Sequence, residues 1–318
     1  MIDLHRHLDG SVRLETVLDL AARHGIELPA DNIEDLRPHV QVTESEAGLM
    51  AFIARFKYLT AVMVDAEACR RIAFENVEDA AGEGIGYIEL RFSPAFMAET
   101  HCLDTAEVVE AVVDGIKAGA RASGIEARAI GILSRSYGVA QCMEELDALL
   151  NFRSDLVAVD LAGDEQRFPA GLFKDHFRRV HRAGLAVTVH AGEADGPASV
   201  RSAIDDLGAE RIGHGFRSIE DPDLVELLAR RGIGLEICLT SNLHIGAVES
   251  YVSHPARQLL EAGVTLNLNT DDPGISGIDL PHEYAMAAPA AGLSGENLRT
   301  IRENARRMAF DLSWNRIE

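Results

Sequence analysis

Short β-rich runs alternate with longer helical stretches along the whole chain, and that alternation limits the fold more than any other feature of the sequence. The runs are Ile2–His5, Gly86–Phe92, Ala127–Ile132, Leu156–Leu161, Ala186–His190, Arg211–His214, Ile233–Cys238 and Val264–Asn269. Stretches of helical periodicity lie between most of them, among them Pro197–Leu207, Asp221–Arg230 and Pro255–Glu261, often opened by Pro or Asp and closed by Gly. About eight such strand–helix units predict an α/β fold, a (β/α)8 TIM barrel, in which catalytic groups gather at the carboxyl ends of the strands. A doubly wound sheet is the structural rival. It is weakened because no G-x-G-x-x-G opens a helix after the first strand, where His5-Arg6-His7 stands instead. The segment Leu14–Gly84 is too long for one crossover and predicts extra helices between strands 1 and 2, with part of it over the barrel mouth. No Pro/Gly-rich linker, low-complexity tract or solenoid period divides the chain, which reads as a single domain over residues 1–318.

Charge narrows the partners. A formal net charge of -21 repels polyanions, and pairs such as Arg178-Arg179 and Arg306-Arg307 read as solvated helix faces, so neither nucleic acid nor an anionic membrane is expected. The start of the chain lacks a charged n-region followed by an apolar h-region, and no apolar run approaches membrane-spanning length. A cytoplasmic location is the expectation, and a homo-oligomer is compatible with the sequence. Cys69, Cys102, Cys142 and Cys238 are scattered, form no C-x-x-C pair and read as buried thiols.

The strand ends carry the chemistry. His5 and His7 are one residue apart, so the period-two alternation of a strand points both imidazoles to one face, here the barrel interior. His-x-His alone is a weak signal, but His190, His214 and Asp271 also fall at strand ends. Nitrogen and oxygen donors of this kind suit a catalytic zinc, which needs a few protein ligands and a free position for water. Binuclear hydrolases on such barrels need a bridging Lys or Glu at the fourth strand, and Val159-Asp160-Leu161-Ala162-Gly163 offers neither. A single metal held by His5, His7, His190 and Asp271 follows, which frees His214 for acid–base work. Water held by such a zinc has its pKa lowered to roughly 7, which supplies a nucleophile at neutral pH. Glu193, three residues beyond His190, is placed to handle protons, and Asp272, beside Asp271 in an Asp-Asp-Pro-Gly turn, can accept a hydrogen bond or orient a neighbour.

His5-Arg6-His7-Leu8-Asp9-Gly10, Asp160-Leu161-Ala162-Gly163-Asp164-Glu165, His190-Ala191-Gly192-Glu193, Arg211-Ile212-Gly213-His214-Gly215, Cys238-Leu239-Thr240-Ser241-Asn242 and Asn269-Thr270-Asp271-Asp272-Pro273 span almost the whole chain. Together they resemble the motifs of the adenosine deaminase family, within the metal-dependent amidohydrolases. The resemblance implies one Zn2+ per chain on His5, His7, His190 and Asp271, and hydrolysis of a purine nucleoside by water. His214 would hold or deprotonate the attacking water, and Glu193 would protonate purine N1 so that a zinc-bound hydroxide attacks C6. Asp272 would accept a hydrogen bond at N7, the Gly163 backbone would meet N3, and Asp9 would reach the ribose 5'-hydroxyl. Adenosine and 2'-deoxyadenosine are the expected substrates. Adenine deaminases typically carry Phe-Phe-Asp-Pro-Gln after the second strand, whereas this chain has Arg91-Phe92-Ser93-Pro94-Ala95-Phe96-Met97. Adenine and aminodeoxyfutalosine are the alternatives within the class. Outside it, ester or lactone hydrolysis loses on the absent bridging acid, and a cytidine-deaminase-type fold needs a P-C-x-x-C that these cysteines cannot form.

Overall fold

Parallel strands need a crossover of a dozen or more residues between neighbours, and each β-rich run of this chain is followed by a helical segment long enough to supply one. The computed structural model describes residues 1–42, 48–311 and 313. Its strands are β1 (Ile2–His7), β2 (Tyr87–Phe92), β3 (Glu126–Ser134), β4 (Leu156–Ala162), β5 (Ala186–Ala191), β6 (Arg211–His214), β7 (Gly234–Ile237) and β8 (Leu266–Leu268). Each lies parallel to the next in sequence order. The ring is closed by a parallel bridge between Arg6 and Asp271, with Asp271 N–H on His5 O and His7 N–H on Asp271 O, both 2.8 Å. The predicted barrel is the observed one.

Strand ends differ from the expected runs for local reasons. β1 runs on to His7 because of that closure, and a bulge shifts its register against β2 between Asp3 and Arg6. β8 stops at Leu268 because the Asn269 side chain takes over: its Oδ1 accepts from Leu4 N–H at 2.9 Å. The segment between β1 and β2 holds helices Leu14–His24, Ile33–Val40, Leu49–Ile53, Lys57–Ala61 and Ala66–Gly82. Its third helix lies over the barrel mouth, where Leu49, Phe52 and Ile53 wall the central cleft together with Phe56 just beyond it. Arg6 ties this insertion to the barrel: its guanidinium forks onto Glu83 at 3.0 and 2.6 Å while its Nε reaches Thr270 Oγ1 at 3.0 Å.

Cys69, Cys142 and Cys238 are buried and all four cysteines are free thiols, but Cys102 is exposed, contrary to its expected burial. It sits in a surface turn with φ of 53°, outside any packed helix face. Among the described residues no helix is long and apolar enough to cross a membrane.

Close helix packing sets one firm test of this architecture. Gly115, in helix Thr105–Ser123, faces helix Ala66–Gly82 so closely that a Cβ there would stand 2.3 Å from Arg70 O and 2.8 Å from Ala73 Cβ. Gly115→Val should therefore cost about 1–3 kcal/mol or more in denaturant unfolding; unaltered stability would contradict this packing.

Candidate metal centre and active site

The carboxyl ends of β1, β5 and β8 bring His5, His7, His190 and Asp271 together, with one ligand atom from each lying within 4.8 Å of the others. His5 Nδ1 is 2.8 Å from Glu236 Oε2, and His190 Nδ1 is 3.0 Å from Asp160 Oδ2. Both Nδ1 atoms donate to these carboxylates, so both Nε2 atoms carry lone pairs, that of His5 beside Asp271 and that of His190 beside His7. His5 Nε2 is buried without a hydrogen-bond partner, 3.2 Å from Asp271 Oδ1. His7 Nε2 stands 3.1 Å from His190 Nε2 and 3.4 Å from Asp271 Oδ1. Imidazole nitrogens crowded this way beside a carboxylate repel one another unless a cation lies among them, and three nitrogens with one oxygen make a donor set suited to zinc. The residues fit a metal ion.

The layer beneath fixes the rings. Glu236 takes His5 Nδ1, Thr188 Oγ1 at 3.0 Å, Arg91 Nη2 at 2.7 Å and Arg211 Nε at 2.6 Å. Burial would raise the Glu236 pKa, but Arg91 and Arg211 outweigh it and hold the carboxyl well below the usual range. Asp160 pairs with Arg91 Nη1 at 2.7 Å as well as with His190. Burial is again overcome, by His190 and Arg91, so Asp160 also stays ionised. Asp160 stood in the sequence only as part of a motif, and Arg91, Arg211 and Glu236 only inside strand runs or motifs; a charged residue within an otherwise apolar strand was the available signal.

On the far side of Asp271, His214 and Glu193 meet. His214 Nδ1 is 3.3 Å from Glu193 Oε1 and its Nε2 is 3.9 Å from Asp271 Oδ2. His214 and Asp271 have φ of 60° and 63°, left-handed backbone that side chains with a Cβ rarely adopt. His214 keeps its ring against those of His5 and His190, with centroids 4.8 and 5.1 Å apart, and points its Nδ1 at Glu193. Glu193 is buried, which raises its pKa well above the carboxylate norm, and the charges of Asp271 and Glu165 raise it further. That shift favours the protonated carboxyl, the form able to donate. Its loop is pinned by Glu165, whose oxygens accept from Gly192, Glu193, Ala194 and Asp195 N–H groups at 2.6, 3.3, 2.9 and 2.9 Å. Sequence reasoning gave Glu165 and Asn242 no role.

Gly163, Asp272 and Ser241 line the cleft with Glu193, His190 and His214. Asp272 is pushed well above its ordinary pKa by burial and by Asp271 and Asp9 nearby, and its Oδ1 has no partner. It fits only because residue 10 is glycine, where a Cβ would lie 1.8 Å from that oxygen. Asp9 lies outside the cleft wall, 3.8 Å from His7 Nδ1, with burial raising its pKa to about 7 and its Oδ1 likewise unpartnered. All nine residues singled out from sequence thus fall at one end of the barrel. No Lys or Arg is among the cleft-lining residues described.

Residues 1–315 match the family model described as adenosine deaminase. The chain is 53% identical over 310 residues, 98% of its length, to an adenosine deaminase of Serratia proteamaculans, 93% of which is covered. Among solved structures it is similar to an adenine deaminase from Arthrobacter aurescens, with TM-score 0.91, 26% identity and coverage of 99% of this chain and 94% of that one. It is also similar to an amidohydrolase from Burkholderia ambifaria with bound Zn, with TM-score 0.85, 25% identity and coverage of 99% and 86%. The chain belongs to the adenosine deaminase family.

Proposed function

We propose that the chain hydrolyses adenosine and 2'-deoxyadenosine to inosine and deoxyinosine with release of ammonia, using one zinc ion held by His5, His7, His190 and Asp271. The observation that carries this reading is the convergence of three imidazole nitrogens and one carboxylate beside Glu193, a carboxyl whose pKa burial raises. Held by these four residues, zinc would lower the pKa of a bound water to about 7 and so would supply a nucleophile at neutral pH. Glu193 donates its proton to purine N1, which breaks the ring's aromaticity and makes C6 electrophilic. His214 holds the attacking oxygen and meets the charge that develops on it.

The remaining contacts orient the base. Purine N7 carries a lone pair and no hydrogen, so Asp272 acts as a protonated donor there, as its raised pKa favours, and not as the acceptor the sequence suggested. The Gly163 backbone faces N3 and Asp9 the 5'-hydroxyl. Leu49, Phe52, Ile53, Phe56 and Ile245 supply apolar walls, and the lack of Lys and Arg among the described lining residues disfavours a 5'-phosphate. Asp160 spends its oxygens on Arg91 and His190, which leaves β4 no bridging acid for a second metal. Adenosine is preferred over adenine because the 53% identical relative is an adenosine deaminase, whereas the adenine deaminase stands at 26%.

Ultraviolet-monitored deamination of adenosine, 2'-deoxyadenosine, adenine, AMP and a 5'-modified nucleoside, alongside metal analysis, tests the assignment; the two nucleosides should turn over best, and a preference for adenine would overturn it. Removal of the metal by a chelator should abolish activity, and zinc should restore it. Glu193→Gln should retain bound zinc yet lower kcat by about 100-fold to 10,000-fold; near-normal turnover would remove Glu193 from the mechanism. Asp160→Asn should weaken zinc binding about 10-fold to 100-fold, since His190 loses the carboxylate that orients it. Equilibrium metal competition reads that change directly.

A further inference from the structure

A line of buried polar groups runs from the backbone to His214 and Glu193, and its first member can only donate. Ala256 N–H lies 3.1 Å from His254 Nδ1, so that nitrogen accepts and bears no hydrogen. His254 is 3% exposed and its burial pushes the imidazole pKa down to about 3, which leaves a neutral ring with its hydrogen on Nε2. Nε2 in turn lies 3.2 Å from Asn242 Oδ1 and donates to it. With its oxygen engaged there, the fully buried Asn242 amide must turn its NH2 group the other way. Asn242 Nδ2 lies 3.1 Å from His214 Nδ1 and 3.3 Å from Glu193 Oε1. An amide NH2 has two hydrogens and accepts nothing, so both of these atoms are acceptors.

We propose that His254 and Asn242 are positioning residues that hold His214 with its hydrogen on Nε2 and keep the Glu193 proton on Oε2, the oxygen that Asn242 does not engage. The inference rests on the roles proposed above for Glu193 and His214, and deepens them. His214 begins the cycle as a hydrogen-bond donor to the attacking oxygen, not as its base, because its one free nitrogen lone pair is already occupied by Asn242. His254 reaches the reaction only through Asn242: it is absent from the cleft wall, and its ring packs against Phe216 with centroids 5.2 Å apart.

The histidine ring nitrogens can be read directly by multiple-bond 15N–1H correlation on the 15N-histidine-labelled, metal-loaded protein. His214 and His254 should both show a bare Nδ1 and a protonated Nε2, and a hydrogen on Nδ1 of either ring would overturn the proposal. This measurement needs no substrate, so its failure is distinct from a failure to deaminate adenosine. His254→Phe keeps a ring against Phe216 but removes the donor; it should lower kcat about tenfold, the effect of roughly one oriented hydrogen bond, with KM and bound metal little changed. In that variant His214 should become a mixture of tautomers. His254→Gln, whose amide N–H can reach the same oxygen, should recover most of the lost kcat. Wild-type kcat or an unaltered His214 tautomer in a folded His254→Phe protein would refute the relay, and should that variant not fold, the ring nitrogens of the unsubstituted protein decide alone.

Discussion

The site depends on a charge network buried in the barrel. Arg91 reaches Glu236 and Asp160, each at 2.7 Å, and those two carboxylates in turn hold His5 and His190. Barrel interiors are usually filled by branched aliphatic side chains. Here β2, β4, β6 and β7 instead place Arg91, Asp160, Arg211 and Glu236 inside, all buried. Isolated, any one of these charges would be costly in that interior, and each is tolerated because its partners leave few oxygens or hydrogens unpaired. The return on this arrangement is orientation. Two imidazole rings are locked with their Nε2 lone pairs outward before any ion arrives, which lowers the rearrangement needed to bind one.

Barrel closure and site assembly are one event. Asp271 bridges β1 through its backbone and faces His5 and His7 with its side chain, so the contact that completes the ring also supplies the carboxylate of the cluster. The left-handed backbone at His214 and Asp271 costs of order 1–3 kcal/mol at each residue. Both strained residues stand at strand ends in the cleft, where a regular strand geometry would point the side chains elsewhere. Burial, with the crowding of acids that would destabilise an ordinary core, here raises the pKa of Glu193 and Asp272 well above the carboxylate norm, toward the state in which a carboxyl can donate to the ring nitrogens of a purine.

Sequence by itself determined the strand order and the positions of the chemically active groups, because both follow from local rules. Alternating runs located all eight strands, and period-two geometry with barrel chemistry at strand ends singled out His5, His7, His190, His214 and Asp271. Position beside those groups added Glu193 and Asp272, and motif resemblance added Gly163 and Asp9. Pairing across the barrel was not legible: Glu236 lies 231 residues from His5, and Asp160 lies 30 from His190, so no local spacing reveals either contact. Tertiary structure alone decided that His214 presents Nδ1 to Asn242 and Glu193 and Nε2 to Asp271, since that follows from a left-handed φ and from a buried amide that His254 also contacts. It also decided that the Asp272 pKa is raised and that Cys102 is exposed, because protonation and burial are set by the neighbours that folding brings together.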